Sequence, residues 1–257
     1  MPKVVITGLG LVTPVGTGIK KSWESFLQGR SGANEMKSFD TSKYKVHRSC
    51  EVKDFALDVE LDNQIKENTI HKYVYYAARE ALLESGLPDE KHCDRERFGV
   101  AIGTLAAELT PFERLLRLDV SKKDNGFDKI VAAVYPPNSI TNVLARYFDF
   151  EGPTMISLNA CSSGNHAIAW AYDRLMEDKV DVVMVGGGDM IPQTEFTHFH
   201  NLKSLAPERC QPFDKNRQGL MIGEGAGILI MERYEFAKKR GAKIIAEMAG
   251  YGLSCDG

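Results

Sequence analysis

The chain has 257 residues, a formal net charge of −3 and 43% hydrophobic residues, enough for one large α/β core or two modest ones. The near-neutral balance gives no electrostatic reason to expect nucleic acid as a partner, and no apolar run approaches the ~18 residues of a membrane span. The five cysteines, Cys50, Cys93, Cys161, Cys210 and Cys255, are odd in number, widely spaced and free of any C-x-x-C, which argues against a disulfide framework or a zinc site.

The opening stretch "MPKVVITGLG" lacks the apolar region and cleavage site of a signal peptide, so the cytoplasm is the expected compartment. "KVVITGLGLVT" reads as a β-branched strand running into a glycine turn, and "GIKKSWESFLQG" as a helix closed by Gly29. "FDTSKYKVHRSCEVKDF" is polar and reads as a loop with short strands. "DNQIKENTIHKYVYYAAREALLESGL" has Val74, Ala77, Ala78, Ala81 and Leu82 at helical spacing and stops at Gly86 and Pro88. "RFGVAIGT" reads as a buried strand. A helix starts near Ser139, where Ser and Asn are good capping residues. "PTMISLNAC" is a strand, "SGNHAIAWAYDRLMEDK" a helix, and "VDVVMVGGGD" an apolar strand ending in glycines. "AGILIMERYEFAKKRGAKIIAEMAGYGL" gives strand, helix, strand. Strands alternating with helices, several of them apolar on both faces, imply one compact α/β domain with a mixed, mostly parallel sheet covered on both sides.

Cys161 stands at a strand-to-helix junction, followed by Ser162, Ser163 and Gly164. Unpaired N–H groups at a helix N-terminus favour the nucleophilic thiolate, and small residues permit a sharp elbow. A small buried thiol at a tight turn explains the same residues, and local sequence leaves the two readings open. The glycines of "VGGGD" (185–189) read as a turn needing space beside another element, because no Lys-Ser/Thr follows as in a P-loop. Gly8 and Gly10 begin a dinucleotide fingerprint, but its third glycine is Thr13. His198 and His200 would share a face on a strand, yet no further ligand stands at familiar spacing. Structural roles are assigned to Glu224 as a turn carboxylate, and to Asp214 and Arg217 as a local ion pair.

Taken in order, "VVITGLGLVTPVG", "SWESFLQGRSG", "FDTSKY", "FGVAIGT", "NACSSGNHAI", "VDVVMVGGGD" and "PFDKNRQGLMIGEGAGILIMERYEFAKKRGAKIIAEMAGYGLSCDG" resemble the β-ketoacyl-[acyl carrier protein] synthases, the condensing enzymes of fatty-acid and polyketide synthesis. The resemblance covers the chain from end to end. It implies a thiolase-like half-fold over residues 1–257, with a mixed, mostly parallel five-stranded sheet and helices on both faces. It also implies that Cys161 is the acyl-accepting nucleophile of a decarboxylative Claisen condensation with malonyl carrier protein. No cofactor and no metal are called for. Ala106, Tyr135 and Phe199 match walls of the acyl pocket. Lys66, Lys72 and Lys203 match docking positions for an acidic acyl carrier protein. The strand "TMISLN" matches the one that pairs with its copy in a homodimer.

The departures concern the rest of the machinery. The histidines stand at 47, 71, 92, 166, 198 and 200, and none matches the family's two catalytic histidines; the His-Gly-Thr-Gly-Thr and Gly-Phe-Gly segments are also absent. His166 lies more than one helical turn from Cys161 and is not expected to reach its sulfur. The C-terminal half is thus expected from elsewhere, as a partner chain or a further part of the protein. The competing reading is a non-catalytic scaffolding or chain-length partner subunit. A nicotinamide-dependent oxidoreductase is the outside alternative.

Overall fold

The computed structural model describes residues 3–57, 69–87, 94–105, 113 and 138–255. Its strands are β1 (Val4–Thr13), β2 (Gly16–Thr17), β3 (Asn34–Glu35), β4 (Arg48–Ser49), β5 (Phe98–Gly103), β6 (Thr154–Ser157), β7 (Val182–Asp189), β8 (Gly225–Arg233) and β9 (Ala246–Met248). Its α-helices among the described residues are α1 (Ile19–Leu27), α2 (Thr69–Ser85), α3 (Ser139–Phe148), α4 (Ser163–Met176), α5 (Gln193–Asn201) and α6 (Tyr234–Lys239).

One sheet has the order β2-β1-β8-β7-β5-β6, with β9 pairing to β1. β5 pairs in parallel with β6 and β7, whereas β8 is antiparallel to both β7 and β1. β1, β5, β6 and β7 therefore share one direction and β8 opposes them. The expected five strands are all present, but the sheet has seven, because two- and three-residue strands add to β1 at its ends. β9 falls within the last strand read from "AKIIAEMAGYGL", whereas the two-residue β2 is too short to give a periodic signal.

Successive residues of β7 face opposite layers, as a pleated strand requires. Val182 and Met184 pack with α2 residues Val74 and Ala77 and α3 residues Ile140 and Leu144. Val183 and Val185 pack with Ala167, Ala171 and Leu175 of α4. Helices thus cover both faces, and β5 is buried at every residue. A third, smaller cluster joins Met36, Val46, Phe196 and Ile222 beside the sheet.

The glycines of β1 are packing devices. A Cβ at Gly8 would fall 2.1 Å from the carbonyl oxygen of Ala81, and one at Gly10 would fall 1.7 Å from that of Ala77. Ala77 and Ala81 are one turn apart on α2 and settle onto these two bare positions. Gly8 and Gly10 lie inside β1, not in a turn that opens a helix, so the partial fingerprint serves helix–strand contact. Glu80 and Glu84 of the same helix accept the N–H groups of Leu11 and Leu9 at 2.9 and 2.8 Å.

Other expectations are corrected in detail. The glycines at 186–188 belong to β7 itself and form no turn. His198 and His200 lie on α5, where residues two apart point to different sides, and His200 Nε2 accepts the N–H of Lys45 at 3.2 Å. Arg217 donates to the backbone carbonyl of Asp214 at 3.0 Å, while the Asp214 carboxylate accepts the Asn216 N–H at 2.7 Å, so the two side chains form no ion pair. Asn138 precedes α3 without a side-chain capping bond. Among the described residues, no group of His, Cys, Asp and Glu is placed to hold a metal ion, and no helix is long and apolar enough to cross a membrane.

Candidate active site

Edge strand β6 ends at Ser157, and the chain must turn sharply to begin α4 at Ser163. A single turn of 3-10 helix (Ala160–Ser162) makes that elbow. Ala160 adopts φ 49°, a left-handed conformation that L-residues rarely take and that costs about 1–2 kcal/mol. Three local bonds hold it. Ser163 Oγ donates to the Ala160 carbonyl at 2.7 Å, Ser162 Oγ to the Asn159 carbonyl at 2.9 Å, and Ser162 N–H to that same carbonyl at 3.2 Å. The strain projects Cys161 outward, and its thiol is exposed.

Cys161 sits on the rim of a cavity of about 350 Å³ whose boundary includes Val12, Gly103, Gly187, Asp189 and Ala226. These residues lie at the C-terminal ends of β1, β5 and β7 and at the start of antiparallel β8. That is the end of an α/β sheet at which ligands ordinarily bind. Gly103 makes the approach possible. A Cβ there would stand 2.2 Å from the Ser163 carbonyl carbon and 2.3 Å from the Gly164 nitrogen, so the first turn of α4 rests directly on the end of β5.

Two carboxylates secure the surroundings. Asp189 Oδ1 accepts Thr104 Oγ1 and the Leu105 N–H, both at 2.8 Å, tying the exit of β5 to the end of β7. Glu224 Oε1 accepts the Val52 N–H at 2.8 Å and the Tyr73 hydroxyl at 3.0 Å, the turn-carboxylate role assigned to it. Burial raises the Glu224 pKa, opposed by those two bonds and by the Ile191 N–H, and burial with the nearby Glu224 charge raises that of Tyr73.

No described histidine hydrogen-bonds to the Cys161 sulfur. His166 Nδ1 faces the Ser162 carbonyl at 3.0 Å and its ring lies against Asn159 Nδ2, in agreement with the sequence reading. His71 is buried on α2 beside Ser139 Oγ, and burial lowers its pKa to about 4, leaving it neutral. His47 bonds to Thr41, and His92 lies outside the described residues.

Of the other candidates, Ala106, Tyr135 and Lys66 also lie outside the described residues. Phe199 is half-buried on α5 against the small third cluster. Lys72 lies in the first turn of α2, and Lys203 is exposed just after α5. None of these three bounds the cavity beside Cys161. Sequence reasoning missed the pinning role of Asp189, whose signal was a carboxylate closing an apolar strand. It also missed helix α5, where Phe196 is the one fully buried residue.

The chain spans about 63% of the length of the curated relatives it matches. Among these is 3-oxoacyl-[acyl-carrier-protein] synthase 2 of Staphylococcus aureus (strain COL), 30% identical over 262 residues, or 99% of this chain. The protein of the same name from Coxiella burnetii (strain RSA 493 / Nine Mile phase I) is 31% identical over 267 residues, again 99% of this chain and 63% of the relative. Among solved structures, the ishigamide ketosynthase/chain length factor superposes with a TM-score of 0.90 at 32% identity, over 99% of this chain and 64% of that one. A β-ketoacyl synthase from Burkholderia phymatum STM815 gives 0.83 at 28%, over 96% and 63%. A type II PKS acyl-carrier protein in complex with its ketosynthase bound to the hexaketide gives 0.82 at 27%, over 97% and 62%. The family model described as beta-ketoacyl synthase, N-terminal domain, matches residues 1–237; with the strand order and the cysteine elbow already in place, the chain belongs to the β-ketoacyl synthase family.

Proposed function

We propose that this domain carries the acyl-accepting half of a decarboxylative condensation, with Cys161 as nucleophile. The observation that carries the reading is the exposed Cys161 thiol, held by a strained elbow on the rim of the cavity at the C-terminal end of the sheet. The Cys161 sulfur attacks the carbonyl of an acyl-carrier thioester. A new C–S bond forms, the carrier's C–S bond breaks, and the carrier leaves as a thiol with the proton that Cys161 gave up. A malonyl thioester then loses CO2, its carbanion attacks the Cys161 thioester, and the cysteine departs as thiolate and is reprotonated. The Cys161 backbone N–H serves as one oxyanion donor. The histidines that assist decarboxylation come from protein outside these 257 residues, on the same chain or on a partner.

Two features support partners. Among the described residues β6 is the last strand of the sheet and pairs on one side with β5, an edge that suits its counterpart in a homodimer. Leu158 and Leu202 are more than half exposed and Phe213 is wholly exposed, apolar surface that suits an acyl carrier protein or a complementary half. The similarity to a ketosynthase/chain length factor keeps a second reading, a non-catalytic partner subunit.

Intact-mass spectrometry after incubation with an acyl-pantetheine tests the choice. Acylation of the wild-type protein that is lost in Cys161→Ala supports the nucleophile. An adduct that survives the substitution, or none with any donor, overturns it and leaves the partner-subunit reading.

A further inference from the structure

The polar groups on either side of Cys161 are bonded to one another in a ring that leaves Cys161 out. The Asn159 carbonyl accepts the Ser162 N–H at 3.2 Å and Ser162 Oγ at 2.9 Å. Asn159 Nδ2 donates back to Ser162 Oγ at 3.1 Å and lies 3.0 Å from His166 Nε2 and 3.2 Å from its Nδ1. His166 Nδ1 closes the ring at the Ser162 carbonyl, 3.0 Å away. A carbonyl oxygen only accepts and an amide nitrogen only donates. Nδ1 therefore carries the ring proton, and Nε2 is the nitrogen that accepts from Asn159. One residue is missing from these bonds. Cys161 is the second residue of the 3-10 turn, where an N–H has no acceptor within the turn, and its N–H has no other partner among the described residues.

We infer that Asn159 and His166 are positioning residues for the Cys161 oxyanion donor: their clasp on Ser162 keeps the elbow's own acceptors occupied and the Cys161 N–H free for the oxygen of an acyl thioester. The inference rests on the reading of Cys161 as acyl acceptor. When the sulfur attacks the thioester carbonyl, a C–S bond forms and the carbonyl π electrons move onto oxygen, where a preset N–H stabilises the new charge. Without the clasp, the Ser162 hydroxyl and the Asn159 amide oxygen become local competitors for that donor, and the left-handed Ala160 loses bonds that hold it in place. Alkylation of the same sulfur is a displacement at a saturated carbon and forms no oxyanion. It needs an accessible thiolate and nothing else. The two reactions therefore distinguish a donor moved out of place from a thiol made less reactive.

The test compares two reactions of Cys161 in the full-length protein, acylation by hexanoyl-pantetheine and alkylation by iodoacetamide. Each rate is read on the Cys161 peptide by mass spectrometry. The ratio of the two cancels changes in thiol ionisation and exposure, which move both. Asn159→Ala and His166→Ala should lower the acylation-to-alkylation ratio about tenfold, short of the ~10²–10³ lost when an oxyanion donor is removed outright. His166→Gln carries an amide oxygen that can take the place of Nε2 as acceptor, and it should restore most of the ratio. His166→Phe has a ring of similar size and no nitrogen, and it should not. The comparison of these two variants decides the matter even where an alanine variant fails to fold. Ratios equal to wild type in the alanine variants, or equal losses in His166→Gln and His166→Phe, overturn the inference while leaving Cys161 as acceptor. Absence of any acyl adduct on the wild type overturns the acceptor reading itself, and this inference with it.

Discussion

The two ends of the parallel strands are built from opposite materials. At the N-terminal end, charges are paired. Arg97 reaches Asp181 at 2.7 Å and Asp178 at 2.5 Å, and Arg233 Nε lies 3.0 Å from Asp181 while its Nη1 meets Asp178. Nearby, fully buried Glu232 accepts Arg240 Nε at 2.8 Å and Thr7 Oγ1, and Arg240 Nη2 continues to the Ser85 carbonyl at 2.8 Å. At the C-terminal end stand bare glycines, a left-handed alanine, an exposed thiol and, on the helix after β7, the acid Glu195, which has no partner among the described residues. One end ties β1, β7, β8 and α6 together; the other leaves the cavity beside Cys161 open. The contrast teaches that this domain gathers its paired charges at one end of its strand axis and its exposed thiol and cavity at the other, and each prediction below strains one end to see whether the other responds.

The largest effect is expected at the paired end. Arg240→Ala would leave Glu232 buried without its cation, at a cost of about 3–5 kcal/mol. Denaturant unfolding should show the loss, while the alkylation rate of Cys161 in the remaining native protein stays as in wild type. A large change in that rate would mean the two ends are coupled. Gly103→Ala should come next and should reverse the pattern. Its methyl group has backbone at 2.2 Å, so α4 must shift, at about 3 kcal/mol, and the Cys161 alkylation rate should move with it. Asp181→Asn is smaller still. It weakens pairs to Arg97 and Arg233 that are part-exposed to solvent, so about 1 kcal/mol is expected, largely removed by high salt.

The separation explains what could be read from the sequence. The fold was legible because β5 and β7 are apolar at nearly every position and α2 and α4 repeat with helical period, signals local to each segment. The elbow that carries Cys161 was legible because it is local too, with strand, small residues and helix following within a dozen positions, although those residues alone left the thiol's role open. The roles of Gly8 and Gly10 were not, since they depend on Ala77 and Ala81 arriving from a helix some seventy residues later. Nor was the Thr7–Glu232–Arg240 linkage, whose first two members are 225 residues apart. Helix α5 was missed because its polar and aromatic residues bury Phe196 alone, too few for a periodic stripe. Glu195 was invisible for a different reason: having no partner is a property of the folded surroundings, and a glutamate in a helix's first turn looks ordinary in sequence.

That last residue gives the smallest and most directional prediction. Glu195 has its folded pKa raised to about 7 from an ordinary value of 4.5, so the folded state holds its proton more tightly than the unfolded chain does. Below pH 4.5 both states are protonated and the site costs nothing electrostatically. As pH rises toward 7, the unfolded state gains by ionising while the folded state does not, and stability falls; above 7 the loss is complete and constant. Glu195→Gln removes this titration while keeping the side chain's size. Its Tm should match wild type at pH 4 and exceed it at pH 8 by about 2 °C or less, because part of the group faces solvent. A Tm difference that is the same at both pH values would show that the carboxyl at the reactive end carries no electrostatic strain.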